Sequence, residues 1–147
     1  FKSWLLIQSL ETLSLRMKEH SNNALEVAKF LKSHKKVKNV SYPGLESDAQ
    51  YDRAQKYFKN GHVSGLINFD VEDFEEAKEL MDKTELFSIV VNIGDSKSLI
   101  VHPASTTHQQ IPADEQIKSG IRPGMIRLSI GLEDSADLIA DLEKALG

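Results

Sequence analysis

Apolar residues open the chain at helical spacing. Leu6, Leu10, Leu13 and Met17 recur at intervals of four, three and four, and Gln8, Glu11, Arg16, Lys18 and Glu19 lie off that stripe. Ala24, Val27, Ala28 and Leu31 keep the period up to the basic group Lys35, Lys36 and Lys38, where cations suit a helix C-terminus. Helix is therefore expected over residues 3–34, either as one rod or as two helices joined near Ser21. The pattern then shortens. Val37 to Tyr42 alternates and stops at the turn Pro43-Gly44, which predicts a strand. Asp48 to Phe58 predicts a helix closed by Asn60-Gly61 as a left-handed cap. Ser64 to Val71, carrying Leu66, Ile67 and Phe69, predicts a strand, and Asp73 to Lys83 returns to helical spacing through Phe74, Ala77, Leu80 and Met81.

Phe87 to Asn92 is rich in β-branched residues, and Leu99 to His102 follows across the turn-prone Gly94-Asp95-Ser96, so two short strands are expected. Pro103 has no amide hydrogen for a ladder and should end the second. Pro112 to Glu115 starts a helix that Gly120 ends. Met125 to Ile130 predicts a strand, and Asp134 to Leu146 an amphipathic helix with Leu138, Ile139, Leu142 and Leu146 inward. Helices and strands interleave without a Gly-rich phosphate loop or a repeat of fixed period. The expected class is α+β, a small, mainly antiparallel sheet with helices packed on one face.

Composition narrows the function classes. The 147 residues allow one core of ordinary size, so a single domain over 1–147 is expected. A net charge of −4, with acidic residues scattered among the basic ones, gives no basic field for nucleic acid. No apolar run reaches the roughly 18–20 residues of a membrane span. Without cysteine there can be no disulfide, thiolate metal site or cysteine nucleophile, which fits a cytoplasmic protein. The chain opens at Phe1 in what reads as the middle of a helix, with neither an initiator Met nor a signal pattern. A piece of something longer is expected.

Arg127 is the most informative polar residue, because it interrupts the apolar strand Met125-Ile126-Arg127-Leu128-Ser129-Ile130. Alternation puts Ile126, Leu128 and Ile130 on the core face and Met125, Arg127 and Ser129 on the other. An arginine so placed is either a two-pronged carboxylate clamp or a plain surface cation on an open sheet face. Upstream lie two polar stretches, Asn92 to Ser98 and His102 to Gln110, whose Ser, Thr and Asn either build a site or satisfy turns. His102 and His108 stand six apart with no carboxylate cluster, which argues against zinc and leaves no metal site to propose. The acidic run Asp70, Glu72, Asp73, Glu75 and Glu76 reads as a solvated helix start, and Phe1 and Trp4 as packing or interface residues.

The stretch NIGDSKSLIVHPASTTH over Asn92–His108, IRLSIGLE over Ile126–Glu133 and the opening WLLIQSLETLSLRM together resemble the C-terminal domain of the Cys/Met-metabolism pyridoxal-phosphate enzymes. Within that family the Asn-x-Gly-Asp loop followed by HPASTTH looks most like the O-acetylhomoserine sulfhydrylases. The resemblance implies a fold-type-I enzyme in which a larger domain, absent from this chain, binds pyridoxal phosphate while this one closes over an amino-acid substrate. It implies that Arg127 binds the substrate α-carboxylate and that Thr107 gives a supporting hydrogen bond. Asn92 would help hold the same carboxylate at a position where many relatives have serine. No catalytic or cofactor-binding residue is implied within this chain, whose isolated form should be inactive. The implied reaction is γ-replacement, acetate leaving O-acetylhomoserine and sulfide adding to give homocysteine, in a whole enzyme that is a homodimer or homotetramer. Cystathionine γ-synthase, cystathionine γ-lyase and methionine γ-lyase are the alternatives inside the family. A non-catalytic amino-acid-binding regulatory module is the alternative outside it.

Overall fold

Five strands form one sheet in the order β1-β2-β5-β4-β3 in a computed structural model that describes residues 1–147. They are β1 (Asn39–Ser41), β2 (Leu66–Asp70), β3 (Ser88–Ile89), β4 (Leu99–Val101) and β5 (Met125–Ser129). All neighbours run antiparallel except β3 and β4, which are parallel. Strand β5 lies at the centre, with Arg127 opposite Asn68 on β2 and Val101 on β4.

Alternation along β2, β4 and β5 builds the main core. Ile67, Phe69, Ile100, Ile126, Leu128 and Ile130 are at most 1% exposed and share one face of the sheet. Over them pack α2 (Leu13–Ser33), α4 (Phe74–Lys83) and α6 (Ser135–Leu146), through Val27, Leu31, Leu80, Leu138 and Leu142. Leu99 and Val101 are buried too, but outside that cluster, because the same period turns them to the Arg127 face. The α+β class with helices against the sheet is as the sequence predicts.

The opening helix breaks elsewhere than expected. Helix α1 (Lys2–Glu11) meets α2 at Thr12, and Ser21 lies inside unbroken helix. Ser21 does not disturb α2 because its hydroxyl accepts the amide of Val63 at 3.0 Å instead of competing for its own turn. The predicted stripe does continue from α1 into α2, yet no residue of α1 is buried and Leu6 and Leu10 remain 66% and 61% exposed.

The remaining helices are α3 (Tyr51–Tyr57) and α5 (Ala113–Lys118). Asn60 and Gly61 both take left-handed backbone, φ 59° and 72°, as expected of the cap after α3. The Phe87–Asn92 strand shrinks to Ser88–Ile89, because the amide of Asn92 turns back onto the carbonyl of Val90 at 3.0 Å and ends the ladder. The acidic run is solvated only in part. Asp73 caps α4 by accepting the Glu76 amide at 3.0 Å, whereas Asp70 is buried, 6% exposed, and paired.

Candidate functional site

Arg127 sits half-buried at the middle of the central strand, on the face opposite the main core. Its guanidinium makes no ion pair and no hydrogen bond with the rest of the chain. Arg122, five residues earlier, shows the alternative. It clasps Asp70 with Nε at 2.9 Å from Oδ1 and Nη2 at 2.6 Å from Oδ2, while Asn39 adds a bond of 3.2 Å to Oδ2. The fork of Arg122 is thus filled from within, and that of Arg127 is left to face outward. A wide cleft of about 690 Å³ borders Arg122, Asp70 and Lys38, but its ionic groups already satisfy one another, Lys38 pairing with Glu72.

The polar stretch Asn92–Ser98 and the end of the Ile126–Glu133 segment are bonded to each other. The amide of Gly94 donates to Ser129 Oγ at 3.0 Å, and that of Leu132 to the Ser96 carbonyl at 2.9 Å. Glu133 accepts from Ser98 twice, the amide at 2.7 Å on Oε1 and the hydroxyl at 2.9 Å on Oε2, and the Gly131 amide donates to Ser98 Oγ at 2.8 Å. From the other side α2 binds the same segment. His20 Nδ1 donates to the Ile130 carbonyl at 2.6 Å, and Asn23 Nδ2 donates to the carbonyls of Gly131 and Glu133 at 3.2 and 2.8 Å. A groove of about 260 Å³ remains beside this junction, lined among others by Met17, His20, Ile93 and Ser129.

Asn92 lies exposed two residues before Gly94, and its side chain makes no hydrogen bond within the chain. Thr107 is also exposed. Its hydroxyl meets His108 Nδ1 at 2.7 Å and the Pro103 carbonyl at 3.4 Å, so its partners are local and no bond links it to Arg127 or Asn92. The fold thus brings the Asn92 loop to the strand of Arg127 and leaves Thr107 on the turn after β4.

Sequence reasoning missed the buried polar groups that hold these segments. His102, 2% exposed, accepts the Ser105 amide on Nδ1 at 3.2 Å, so its proton rides on Nε2, which donates to the Pro123 carbonyl at 2.6 Å. Both ring nitrogens are engaged, and the histidine is a strut between β4 and the segment before β5. Gln116 Nε2 reaches the carbonyls of Ala104, His108 and Ile111 at 3.3, 2.8 and 2.9 Å and so closes the HPASTTH turn. Spacing gave no sign of either role. The signal for Ser98 and Glu133 was only that they fall inside the two quoted motifs.

None of the lysines is buried. Several pair with surface carboxylates, among them Lys29 with Glu26 and Lys144 with Glu85, and the Glu85 hydrogen bond raises the Lys144 ammonium above the usual lysine range. A cofactor held through a lysine imine needs that amine beside a cavity that encloses the ring. Lys38, the lysine bordering the cleft of about 690 Å³, is instead paired with Glu72.

The model of the Cys/Met metabolism PLP-dependent enzyme family matches residues 1–147. The chain belongs to that family. O-acetyl-L-homoserine sulfhydrylase of Leptospira meyeri is 50% identical over 99% of the chain, which covers 33% of that protein. L-methionine gamma-lyase of Treponema denticola is 41% identical, with 99% and 36% covered. A crystal structure from Campylobacter jejuni, described as an O-acetylhomoserine (thiol)-lyase with N'-pyridoxyl-lysine-5'-monophosphate, superposes with a TM-score of 0.94. It is 54% identical, and the match covers 97% of this chain and 34% of that one. The chain thus spans about one third of the length of these relatives. Family members depend on pyridoxal phosphate and act on small amino-acid substrates, and no helix of this chain is long and apolar enough to cross a membrane.

Proposed function

We propose that this chain is the C-terminal, substrate-carboxylate-binding domain of a pyridoxal-phosphate-dependent O-acetylhomoserine sulfhydrylase, and that it is inactive when isolated. One observation carries the reading. Arg127 is held on the central strand of a rigid sheet with its guanidinium unpaired, whereas Arg122 nearby is filled by Asp70. A planar fork so presented is matched to a carboxylate, and its anchorage on a strand fixes the direction from which the substrate must enter.

In this reading Arg127 grips the α-carboxylate, Asn92 approaches the same group from its loop, and Thr107 supports the turn behind them. Gripping one end of a flexible amino acid orients its α-carbon for reaction, a positioning effect that acts before any bond changes. Pyridoxal phosphate is held outside this chain, by the remaining two thirds of the protein. The exposed apolar face of α1, with Leu6 and Leu10, is the surface those residues would cover, since an apolar stripe of this length left in water is unfavourable. The overall reaction is replacement of acetate by sulfide at the γ-carbon of O-acetylhomoserine, catalysed by a homo-oligomer.

The test uses the full-length enzyme. Sulfide-dependent homocysteine formation from O-acetylhomoserine is expected. The similarity to a methionine gamma-lyase favours one competing reading, and elimination from methionine outpacing sulfide addition would establish it. Arg127→Ala should lower kcat/KM by about 30- to 1,000-fold, the loss of roughly 2–4 kcal/mol of charge-assisted bonding, while the cofactor absorbance is retained. Unchanged steady-state kinetics would overturn the carboxylate assignment.

A further inference from the structure

We propose that Glu133 is a positioning residue for the substrate-carboxylate site, a latch that fixes the Asn92 loop against the strand of Arg127. The proposal rests on the carboxylate reading of Arg127 given above. Glu133 is a half-buried carboxylate with no cation partner; both its oxygens are satisfied by Ser98 alone, through an amide and a hydroxyl. Ser98 is fully buried, and its hydroxyl in turn accepts the Gly131 amide, so the amide donates to the hydroxyl and the hydroxyl to the carboxylate in one continuous chain. A surface carboxylate needs no such arrangement to remain soluble. Its geometric effect is to lock residue 98, and with it the C-terminal end of the loop, to the chain just past β5.

The other end of the loop is fixed by the Gly94–Ser129 bond. Asn92 stands two residues before Gly94, and Arg127 two residues before Ser129 on the same strand face. Residues two apart on a strand are separated by roughly 6.5–7 Å, so this bond ties the limb bearing Asn92 to the face bearing Arg127. Without the Glu133 latch, the Gly94–Ser129, Leu132–Ser96, Gly131–Ser98 and Ser88–Ser98 bonds remain, but both charge-assisted bonds are lost. The exposed loop would loosen, and the ligand group that suffers is the one gripped between loop and strand, the α-carboxylate. Behind the latch, His20 and Asn23 hold the same segment by its carbonyls, so the chain after β5 stays in place when Glu133 changes.

Glu133→Ala in the full-length holoenzyme tests this, with two ligands compared: the amino-acid substrate, and the corresponding amine lacking the α-carboxylate, used as an inhibitor. The expected result is an increase of about tenfold in KM for the amino acid, an inhibition constant for the amine within twofold of wild type, and cofactor absorbance retained. Glu133→Gln, which keeps one acceptor oxygen for the Ser98 amide, should restore part of the loss. Equal losses for acid and amine, or no loss for either, would overturn the latch. Arg127→Ala separates the two ideas. If it fails to discriminate acid from amine, the carboxylate reading falls and the latch with it; if it discriminates and Glu133→Ala does not, the latch alone falls. Should Glu133→Ala not fold, Ser98→Ala, which keeps the amide bond to Glu133, carries the same comparison with the same overturning result.

Discussion

Gly131→Ala puts a methyl group into a tight junction between two loops of the chain. A β-carbon built on Gly131 would lie 2.4 Å from Glu133 Oε2, 2.5 Å from the Ser96 carbonyl oxygen and 2.6 Å from the Lys97 carbonyl carbon, where ordinary contact starts at 3.4 Å. The carboxylate can swing aside, but Ser96 and Lys97 present main chain. That chain must retreat by about 0.9 Å, enough to break or badly stretch a hydrogen bond. The bonds in the path are Leu132 to Ser96, Gly131 to Ser98 and the pair from Ser98 to Glu133. At about 1 kcal/mol for a neutral bond and roughly 1.5–3 kcal/mol for one to a carboxylate, partial loss of this set amounts to ~2–4 kcal/mol. Alanine recovers about 0.4–1 kcal/mol by restricting the unfolded chain, which leaves a net destabilisation of ~1–3.5 kcal/mol. Urea unfolding of the 147-residue chain followed by far-UV circular dichroism should show the midpoint falling by about 1 M with an unchanged slope. Gly94→Ala serves as the control. Gly94 has φ +77° and open space around its β-position, so only the left-handed backbone penalty of about 1–2 kcal/mol applies there. A Gly131→Ala midpoint equal to wild type would refute the claim that the segment after β5 and the Asn92 loop are locked together.

Arg122→Ala strips the fork from Asp70 and leaves a buried carboxylate with Asn39 as its remaining side-chain partner. Because the Arg122 side chain is 44% exposed and water can follow it out, the loss should be about 1–2 kcal/mol rather than the 3–5 kcal/mol of a fully buried broken pair, measured by the same unfolding. Its KM for the amino acid should stay near wild type, in contrast to Arg127→Ala. Tyr42, fully buried, donates to the carbonyls of Ser64 at 2.9 Å and Ser21 at 3.2 Å, and burial pushes its phenol above the usual tyrosine range. A folded pKa above the unfolded one means that the native state holds its proton longer. This contribution is therefore fully present below about pH 10 and is lost as the pH rises through the folded value. Tyr42→Phe should cost about 1 kcal/mol at neutral pH and flatten the alkaline limb of a stability–pH curve; an unaltered limb would remove Tyr42 as its source.

Much of the fold was legible because period and burial coincide. Strand β5 alternates so cleanly that the outward direction of Arg127 follows from Ile126, Leu128 and Ile130 alone, and the buried face bears this out. Where period carries no information about partners, the reading stopped short. The stripe of α1 looks the same whether its cover lies in this chain or elsewhere, so the absence of any buried residue on it was not foreseeable. The β-branched run Val90-Val91 has strand propensity, but the backward bond from Asn92 to Val90 removes it from the ladder. Asp70 belongs by composition to a solvated acidic run, and only its register on β2 and the approach of Arg122 from beyond α5 bury it. The buried roles of Ser98, His102, Gln116 and Glu133 depend on contacts between residues far apart in sequence, and no local spacing encodes those contacts.

The contrast between the two arginines says most about what this surface is for. A guanidinium can be satisfied cheaply by an acidic neighbour, and the chain does this with Arg122, in the segment before β5, and Asp70 at the end of β2. At Arg127 the cross-strand neighbours are instead Asn68 and Val101, an amide and a hydrocarbon, neither of which can neutralise the charge. Stability alone would favour an acidic residue at 68, since opposite charges facing across an antiparallel pair are stabilising. Arg127 thus forgoes that small gain and keeps its guanidinium unpaired within the chain. Asn68→Asp is therefore the substitution that pits stability against binding: it should strengthen the sheet by a few tenths of a kcal/mol while raising KM for the amino acid. An unchanged KM alongside increased stability would mean that Arg127 had no anionic ligand to lose.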